Sequence, residues 1–168
     1  MQIRLSQTQD IPTVFKIYDE AIAYQNAVKG KAWKGFELAL IKNEISEKRH
    51  YVITEEEETA CTFVLAFTDE LIWKKVNADA AVYIHRIAVN PKFRGKSYVK
   101  IIVNWLKENA GVWKFNFIRL DTESGNERIN NHYLRCGFVY KGATTIEWEA
   151  GLPAHYKDAE LSLFEIEL

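Results

Sequence analysis

A short basic loop is the stretch of the sequence best suited to binding an anion. Arg94, Gly95 and Lys96 lie between an apolar stretch and a segment with helical periodicity. Glycine lets the backbone approach a ligand closely, and the first turn of a helix presents N–H groups and the positive end of its dipole. Cationic side chains beside such a turn are typical of phosphate sites. The loop therefore predicts a seat for a phosphate or a pyrophosphate.

The residues on either side of the loop indicate how it is held. The β-branched and aromatic residues 81–89 favour a strand, and Asn90-Pro91 ends it because proline cannot donate to a sheet ladder. After the loop, apolar residues recur at helical spacing: Tyr98, Val99, Ile102, Leu106 and Ala110. We expect this helix to end near Gly111, a residue typical of helix C-termini.

A second strand and helix follow the first. Residues 115–121 favour a strand, and the next helix is predicted over about 126–136, opened by a capping box of Ser124 and Glu127. The predicted order of elements is β α α β β β α β α β β, in which a right-handed crossover joins two parallel strands. This order predicts a mixed, mostly antiparallel α/β sheet of about seven strands, with a parallel central pair and about four helices on both faces. We expect residues 1–168 to form a single domain.

The flanking segments read as antiparallel structure. Asp10 is a candidate N-cap for a helix that ends near Lys29-Gly30. The acidic run 55–58 is typical of a solvated hairpin turn, because like charges repel and prefer water. The alternating segment 160–168 is expected to close the sheet through a long hairpin from Tyr140.

Bulk properties exclude several classes of protein. The net charge is −1, so we expect no nucleic-acid partner. Cys61 and Cys136 are far apart and fit buried thiols, with no metal cluster or disulfide framework. No apolar run approaches the length of a membrane span, and the N-terminus does not resemble a signal peptide. A cytoplasmic protein without a membrane partner is the expectation.

The loop and the later helix together resemble the GNAT superfamily of acetyl-CoA-dependent N-acetyltransferases. The family's pyrophosphate loop runs R/Q-x-x-G-x-G/A, and here the segment reads Arg94-Gly95-Lys96-Ser97-Tyr98-Val99. A second motif, N-x-x-A-x-x-x-Y-x-x-x-G-F, corresponds to Asn126, Ile129, Tyr133 and Gly137-Phe138. The motifs occur in the family's order about 30 residues apart, each on the expected kind of element. The resemblance implies an acyl-CoA N-acyltransferase-like fold.

The resemblance also implies how the cofactor, acetyl-CoA, is held. Backbone groups of Ile87, Ala88 and Val89 would pair with the pantetheine arm as an added strand does. Backbone N–H groups of the loop would cradle the pyrophosphate, from Arg94, Gly95, Lys96, Ser97, Tyr98 and Val99. Asn126 would hold the pantetheine or position the neighbouring helix. The family usually has Gly where Ser97 lies, and Gly or Ala where Val99 lies.

Acetyl transfer to an amine needs a proton acceptor and a proton donor. An amine of pKa about 10.4 costs about 4.6 kcal/mol to neutralise at pH 7. Tyr133, which the resemblance places near the thioester sulfur, is the candidate acid; its alternative is an aromatic residue packed under the helix. His85 is the candidate base because it shares the strand alternation of Tyr83 and Ile87 and has an ordinary pKa near 6.5. Its alternative is a structural histidine. Arg86 is expected to be structural, and Asp121 is a candidate to orient groups at the site.

For the acceptor, the resemblance points to the first two helices and the late hairpin. The aromatic and acidic residues there would suit an amine with an apolar body. The candidates are Tyr24, Trp33, Phe36, Tyr83, Glu147 and Trp148, together with His155 and Tyr156. Their alternative is a role in the core or in contacts of a homodimer, which an exposed hairpin edge would allow.

The sequence thus predicts an N-acetyltransferase that moves an acetyl group from acetyl-CoA to a primary amine of a small molecule, peptide or protein, by direct attack in a ternary complex. The alternative is a non-catalytic acyl-CoA or metabolite-binding module on the same fold, because Ser97 and Val99 depart from the family pattern.

Overall fold

The computed structural model describes residues 1–28, 32–74, 79–147 and 159–168. The elements, in chain order, are β1 Gln2–Leu5, α1 Ile11–Ala27, α2 Leu38–Ser46, β2 His50–Glu55, β3 Glu58–Ala66, α3 Glu70–Trp73, β4 Ala81–Val89, α4 Tyr98–Trp113, β5 Phe117–Glu123, α5 Glu127–Arg135, β6 Val139–Thr145 and β7 Glu160–Glu167. This order confirms the prediction, with one short helix, α3, added between β3 and β4.

The strands form one mixed sheet of seven, in the order β1-β2-β3-β4-β5-β7-β6. β1 with β2, β2 with β3, β5 with β7 and β6 with β7 are antiparallel pairs. β4 and β5 run parallel, with Ala81 opposite Phe117 and Tyr83 opposite Arg119. A parallel pair needs a crossover, and α4 provides it. The predicted mixed sheet with a parallel pair is confirmed, and the described residues contain five α-helices.

The described residues fall into two compact units. The first comprises Met1–Leu65 and His85–Lys96, and the second comprises Ala66–Ile84 and Ser97–Leu168. In the first unit, α1 and α2 pack on the sheet through a buried cluster of Ile11, Val14, Ile17, Tyr18, Ile41, Val52 and Ala88. In the second, α3 packs with β4, β5 and β7 through Ile72, Trp73, Ala81, Tyr83, Ile146, Ala159 and Leu161.

The first unit confirms the acidic hairpin. β2 and β3 are joined at Glu56 and Glu57, whose φ angles are 49° and 66°. Two consecutive residues in the left-handed conformation are typical of the two-residue hairpin turn whose twist matches that of the flanking strands. Asp10 occupies the predicted N-cap position of α1, but its carboxylate accepts hydrogen bonds from the Arg4 guanidinium at 2.7 and 2.8 Å and from the Gln7 N–H. The predicted end of this helix at Lys29-Gly30 lies outside the described residues.

Two helix-end predictions in the second unit are wrong. α4 continues through Gly111 and ends at Trp113, with Lys114 left-handed at φ 57° and ψ 49°. The Trp113 ring packs edge-on against Trp105 at 5.2 Å between centroids, and this contact favours continuing the helix to Trp113 over the propensity of Gly111 to end it. α4 otherwise buries its predicted face, including Tyr98, Val99, Ile102 and Leu106.

The predicted capping box of α5 is also wrong. Asn126 is the N-cap, and its side-chain oxygen accepts a hydrogen bond from the Ile129 N–H at 3.2 Å. The Ser124 hydroxyl group instead shares a hydrogen bond with the Ser162 hydroxyl group of β7 at 3.0 Å. Serine and asparagine are both residue types that can cap a helix, and the contact of Ser124 with β7 leaves Asn126 as the cap.

The closing hairpin is confirmed. β6 pairs with β7 antiparallel, with a register shift between Tyr140 and Gly142. Cys61 and Cys136 are both free and buried, as expected. Within the described ranges, no helix combines the length and the apolar content that crossing a bilayer requires.

His50 is an imidazole fully enclosed in the first unit. Its Nδ1 lies 2.7 Å from the Ser6 hydroxyl group and its Nε2 lies 3.3 Å from the Tyr18 hydroxyl group. Burial disfavours the imidazolium, and the positive charge of Arg86 adds to this, so the pKa of His50 falls to about 4.

We expect folding stability to fall as the pH drops through this window. Unfolded His50 titrates near pH 6.5. Between that value and its folded pKa of about 4, the unfolded state binds more protons, so the free energy of unfolding rises with pH. Replacing His50→Gln should reduce this slope by up to about 1.4 kcal/mol per pH unit, as measured by urea unfolding between about pH 4.5 and 7. Equal slopes in the two proteins would contradict this assignment.

Candidate functional site

Asn90 fixes the position of the chain at the C-terminal end of β4. Its backbone N–H donates to the Ala60 carbonyl oxygen at 2.9 Å, and its side-chain amide donates to the Thr59 carbonyl oxygen at 3.0 Å. Its side-chain oxygen accepts from the Lys92 N–H at 3.1 Å and opens a short 3-10 turn over Pro91–Phe93. Asn90 thereby ties the start of the basic loop to the neighbouring strand β3.

The basic loop has the backbone that the sequence predicts for an anion site. Gly95 lies at φ 89°, a conformation that favours glycine. α4 begins at Tyr98, directly after Ser97, so the loop leads into the first turn of a long helix. That turn leaves N–H groups without intrahelical acceptors. Val99 is buried, so the interior accommodates the bulk that distinguishes it from the family's small residue.

The charges of the loop are organised by the acidic hairpin. Lys92 forms an ion pair with Glu58, and Lys96 forms one with Glu55. The Arg94 guanidinium lies over the Tyr24 ring, with 4.6 Å between its central carbon and the ring centroid. The structure therefore brings together Arg94, predicted for the cofactor, and Tyr24, predicted for the acceptor.

Two acceptor candidates of the first unit form an aromatic cluster. The Trp33 and Phe36 rings are 5.4 Å apart, and they lie 6.0 and 4.7 Å from the Tyr18 ring. The Trp33 N–H donates to the Gln25 side-chain oxygen at 2.9 Å, which fixes the chain after α1. Both rings are half-buried, so each has some apolar surface that another molecule can contact.

The backbone of β4 changes conformation in the middle of the strand. Arg86 lies at φ 50°, in the left-handed region, between His85 and Ile87. Side chains alternate strictly only along continuous extended backbone. The alternation that the sequence predicts for Tyr83, His85 and Ile87 is therefore interrupted between His85 and Ile87, whereas the relation of His85 to Tyr83 precedes the interruption. Ala88 is buried, whereas Ile87 and Val89 are half-buried.

The electrostatics of His85 differ from the expectation. Burial lowers the pKa of His85 to about 4, and the charges of Arg86 and Arg49 lower it further in the same direction. The imidazole is therefore neutral at pH 7, as a proton acceptor must be. Its low pKa reduces the driving force for accepting a proton, because an efficient general base has a pKa near the working pH. The expected advantage of a pKa near 6.5 is absent.

In the second unit, Tyr133 is a buried phenol near charged groups. Its ring packs at 5.4 Å from the Phe164 ring and 6.1 Å from the Phe138 ring. Burial raises its pKa, and the charges of Asp121 and Cys136 raise it further. The phenol therefore holds its proton at pH 7 and can donate it.

Asp121 carries the pKa best matched to neutral pH. Burial raises its pKa to about 7, and the charge of Asp69 contributes in the same direction. Carboxylate oxygens of the two residues lie within 4.8 Å of each other. Burial also raises the pKa of Asp69 to about 6, although it accepts the Ile72 N–H as the N-cap of α3. Sequence reasoning gave Asp121 an orienting role and missed Asp69, whose signal was an acid just after the end of β3.

The remaining described acceptor candidates are one buried and one exposed residue. Tyr83 is fully buried, and its hydroxyl group accepts a hydrogen bond from Arg119 at 3.1 Å. Glu147 is exposed just after β6. Trp148, His155 and Tyr156 lie outside the described residues. Contact of these residues with an acceptor stays a prediction.

Comparison with known proteins identifies the family. Residues 15–138 match the model of the acetyltransferase (GNAT) family. That match covers well over half of the chain, which therefore belongs to the GNAT family of acetyltransferases.

Individual relatives agree with this assignment. The uncharacterized N-acetyltransferase YesJ of Bacillus subtilis (strain 168) is 25% identical over 114 residues, which are 66% of this chain and 63% of YesJ. A GNAT-family acetyltransferase from Listeria monocytogenes 4b F2365 superposes with a TM-score of 0.77 at 23% identity, covering 99% of this chain and 94% of that one. YncA from Salmonella typhimurium, a proposed acetyltransferase solved with its cofactor acetyl-CoA, gives 0.66 at 14% identity, covering 100% and 94%. At these identities the two structures establish the fold alone.

The cap of α5 leads to a test of local structure. We expect Asn126→Ala to cost about 1 kcal/mol of stability and to speed hydrogen exchange at the Ile129 amide, because that amide loses its acceptor. Asn126→Asp retains an acceptor and should leave the exchange rate nearly unchanged. Ser124→Ala should do the same, because Ser124 bonds to Ser162 instead. Faster exchange at the Glu127 amide in the Ser124 variant would instead show that Ser124 and Glu127 form the capping box.

Proposed function

We propose that the chain is an acetyl-CoA-dependent N-acetyltransferase that acetylates a primary amine of a small molecule or peptide. The supporting observation is the loop between β4 and α4, where a left-handed Gly95 and cationic side chains lead into a helix N-terminus. Family membership supports the reaction class, and the acetyl-CoA of YncA supports the cofactor.

The residues of the loop fit a pyrophosphate. Backbone N–H groups from Arg94 to Val99 would surround the phosphates, and the Arg94 guanidinium would add charge. Ile87, Ala88 and Val89 would offer backbone groups to the pantetheine arm. Asn126 already caps α5 with its oxygen, so we assign it the positioning of that helix.

Bound acetyl-CoA supplies an activated acetyl group, whose bond to sulfur is exchanged for a bond to the amine nitrogen. The amine must lose one proton, and the departing sulfur must gain one. Tyr133 is the candidate donor because its phenol retains its proton at pH 7, whereas its raised pKa lowers the driving force for giving that proton up. A backbone N–H near Ile87 would stabilise the negative charge that develops on the carbonyl oxygen.

Two groups can take the proton from the amine. His85 is neutral at pH 7, with a pKa of about 4. Asp121 has a pKa of about 7, which matches the working pH better. A rise of kcat/KM with a midpoint near pH 7 that disappears in Asp121→Asn would assign the role to Asp121.

Several further properties belong to this proposal. We expect a single catalytic domain, a cytoplasmic location and a possible homodimer. β6 is a terminal strand of the sheet whose Val139 and Tyr140 are 62% and 50% exposed, which supports pairing with a second copy. A non-catalytic acyl-CoA-binding module would instead bind acetyl-CoA without acetylating any member of a broad amine panel.

Arg94→Glu tests the cofactor site. Charge reversal should weaken acetyl-CoA binding by about tenfold or more, because a charge-assisted hydrogen bond is replaced by repulsion of the phosphates. Isothermal titration calorimetry gives the dissociation constants. Lys107→Glu is the matched control, because it reverses the charge of an exposed residue on α4. This variant should bind acetyl-CoA like the unmodified protein. Absence of binding by the unmodified protein at millimolar acetyl-CoA would end the proposal.

Tyr133→Phe tests the proton donor. Removing one hydroxyl group should lower kcat by about 10²-fold or more and leave the dissociation constant of acetyl-CoA within a few-fold. Tyr140→Phe is the matched control, because it removes a tyrosine hydroxyl group from the exposed edge strand β6. It should leave kcat and the dissociation constant of acetyl-CoA unchanged. An unchanged kcat in Tyr133→Phe would remove Tyr133 from the mechanism.

A further inference from the structure

Arg86 has a backbone conformation that its residue type does not favour. It lies at φ 50° inside β4, where an arginine ordinarily adopts extended backbone. In the left-handed region the Cβ atom of an L-residue crowds the following carbonyl oxygen, and the residues that tolerate it best are glycine and asparagine. Arg86 is neither, and it lies inside a strand instead of at a turn or a helix end, so contacts with the surrounding structure are needed to offset the cost of this conformation.

The Arg86 side chain is held by two other segments of the first unit. Its guanidinium forms an ion pair with Glu44 of α2, and the two side chains are 13% and 3% exposed. The central guanidinium carbon lies 5.0 Å from the centroid of the Phe36 ring, in the segment before α2. Withdrawing the guanidinium would leave a carboxylate buried without its charge partner, which is strongly unfavourable. The pair therefore penalises backbone conformations of β4 that move Arg86 away.

The geometry of the pair argues against stability as its purpose. Buried ion pairs often contribute no more to stability than apolar residues of similar size. Among the described residues, Glu44 Oε2 and Arg86 Nη1 have no hydrogen-bond partner, so the pair does not use its full bonding capacity. The presence of the pair is therefore better explained by the backbone angle that it fixes at position 86 than by its contribution to stability.

The position of Arg86 in the chain indicates what its angle controls. It directly precedes Ile87, Ala88 and Val89, whose backbone groups we assign to the pantetheine arm. A left-handed residue within a strand changes the direction of the peptide groups that follow it. We propose that Glu44 and Arg86 are positioning residues: their ion pair holds β4 left-handed at position 86 and so aims the Ile87–Val89 backbone at acetyl-CoA. This inference rests on the proposed function.

The test separates the backbone angle from the charge. In a Glu44→Leu background, which avoids a lone buried carboxylate, Arg86 is replaced by Gly, Asn, Ala or Val. Tolerance of the left-handed region decreases in that order. We expect the acetyl-CoA dissociation constant and kcat/KM of the Gly variant to stay within about threefold of the unmodified protein, and those of the Val variant to worsen about tenfold or more. Assays run well below the lowest melting temperature of the series.

Lys114 supplies the matched control. It is exposed and left-handed at φ 57°, at the end of α4. Lys114→Gly and Lys114→Val should change the melting temperature in the same order without changing acetyl-CoA binding or turnover. If the Val variant at position 86 does not fold, the Gly, Asn and Ala variants still give a ranking.

The outcomes distinguish this inference from the proposed function. A ranking of binding and turnover by left-handed tolerance supports the positioning role. Equal constants across the folded variants, in an active unmodified protein, overturn the positioning role and leave the proposed function intact. An unmodified protein that does not bind acetyl-CoA overturns the proposed function, and the inference fails with it.

Discussion

The parallel pairing of β4 with β5 is the constraint from which the candidate site follows. Two adjacent parallel strands cannot be joined by a tight turn, so the chain must cross back through α4. This crossover requires a loop at the carboxyl end of β4 and directs a helix N-terminus into it. Asn90 ends the strand, and Gly95 provides the turn into the helix. The anion-binding character of the loop is therefore a consequence of topology, to which Arg94 and the lysines add charge.

Burial governs the charges on which the chemistry depends. Arg119 is fully buried and bonds to Glu165, Asp79 and the Tyr83 hydroxyl group, so its charge is compensated on several sides. Asp121 and Tyr133 are also enclosed, and burial favours their protonated forms. Low effective dielectric explains both results, because it makes pairing strong and an uncompensated charge costly. The same fold thus produces a structural cation in Arg119, a carboxyl group in Asp121 that exchanges its proton near neutral pH, and a phenol in Tyr133 that keeps its proton.

Local signals in the sequence predicted most of the framework. The strand–loop–helix at 81–113 and the acidic hairpin depend on residue spacing, proline, glycine and repulsion of like charges, all of which are readable in sequence order. The errors arose where distant residues decided the outcome. Trp105 and Trp113 extended α4 past Gly111, and contact with Ser162 removed Ser124 from the cap of α5. Propensity was overruled in both cases by a tertiary contact that no local pattern encodes.

The candidate site shows the same limit more sharply. Period-two alternation predicted that Tyr83, His85 and Ile87 share one face by assuming regular backbone, and the left-handed Arg86 breaks that regularity between His85 and Ile87. Nothing in the local pattern marks position 86 as left-handed, because the pattern of β-branched neighbours favours extended backbone there. The stabilising partner, Glu44, lies 42 positions earlier in the sequence. The backbone conformation of β4 depends on a charged residue in α2, so it cannot be predicted from the residues of the strand alone. Such a conflict between local propensity and the observed conformation is typical of functional positions.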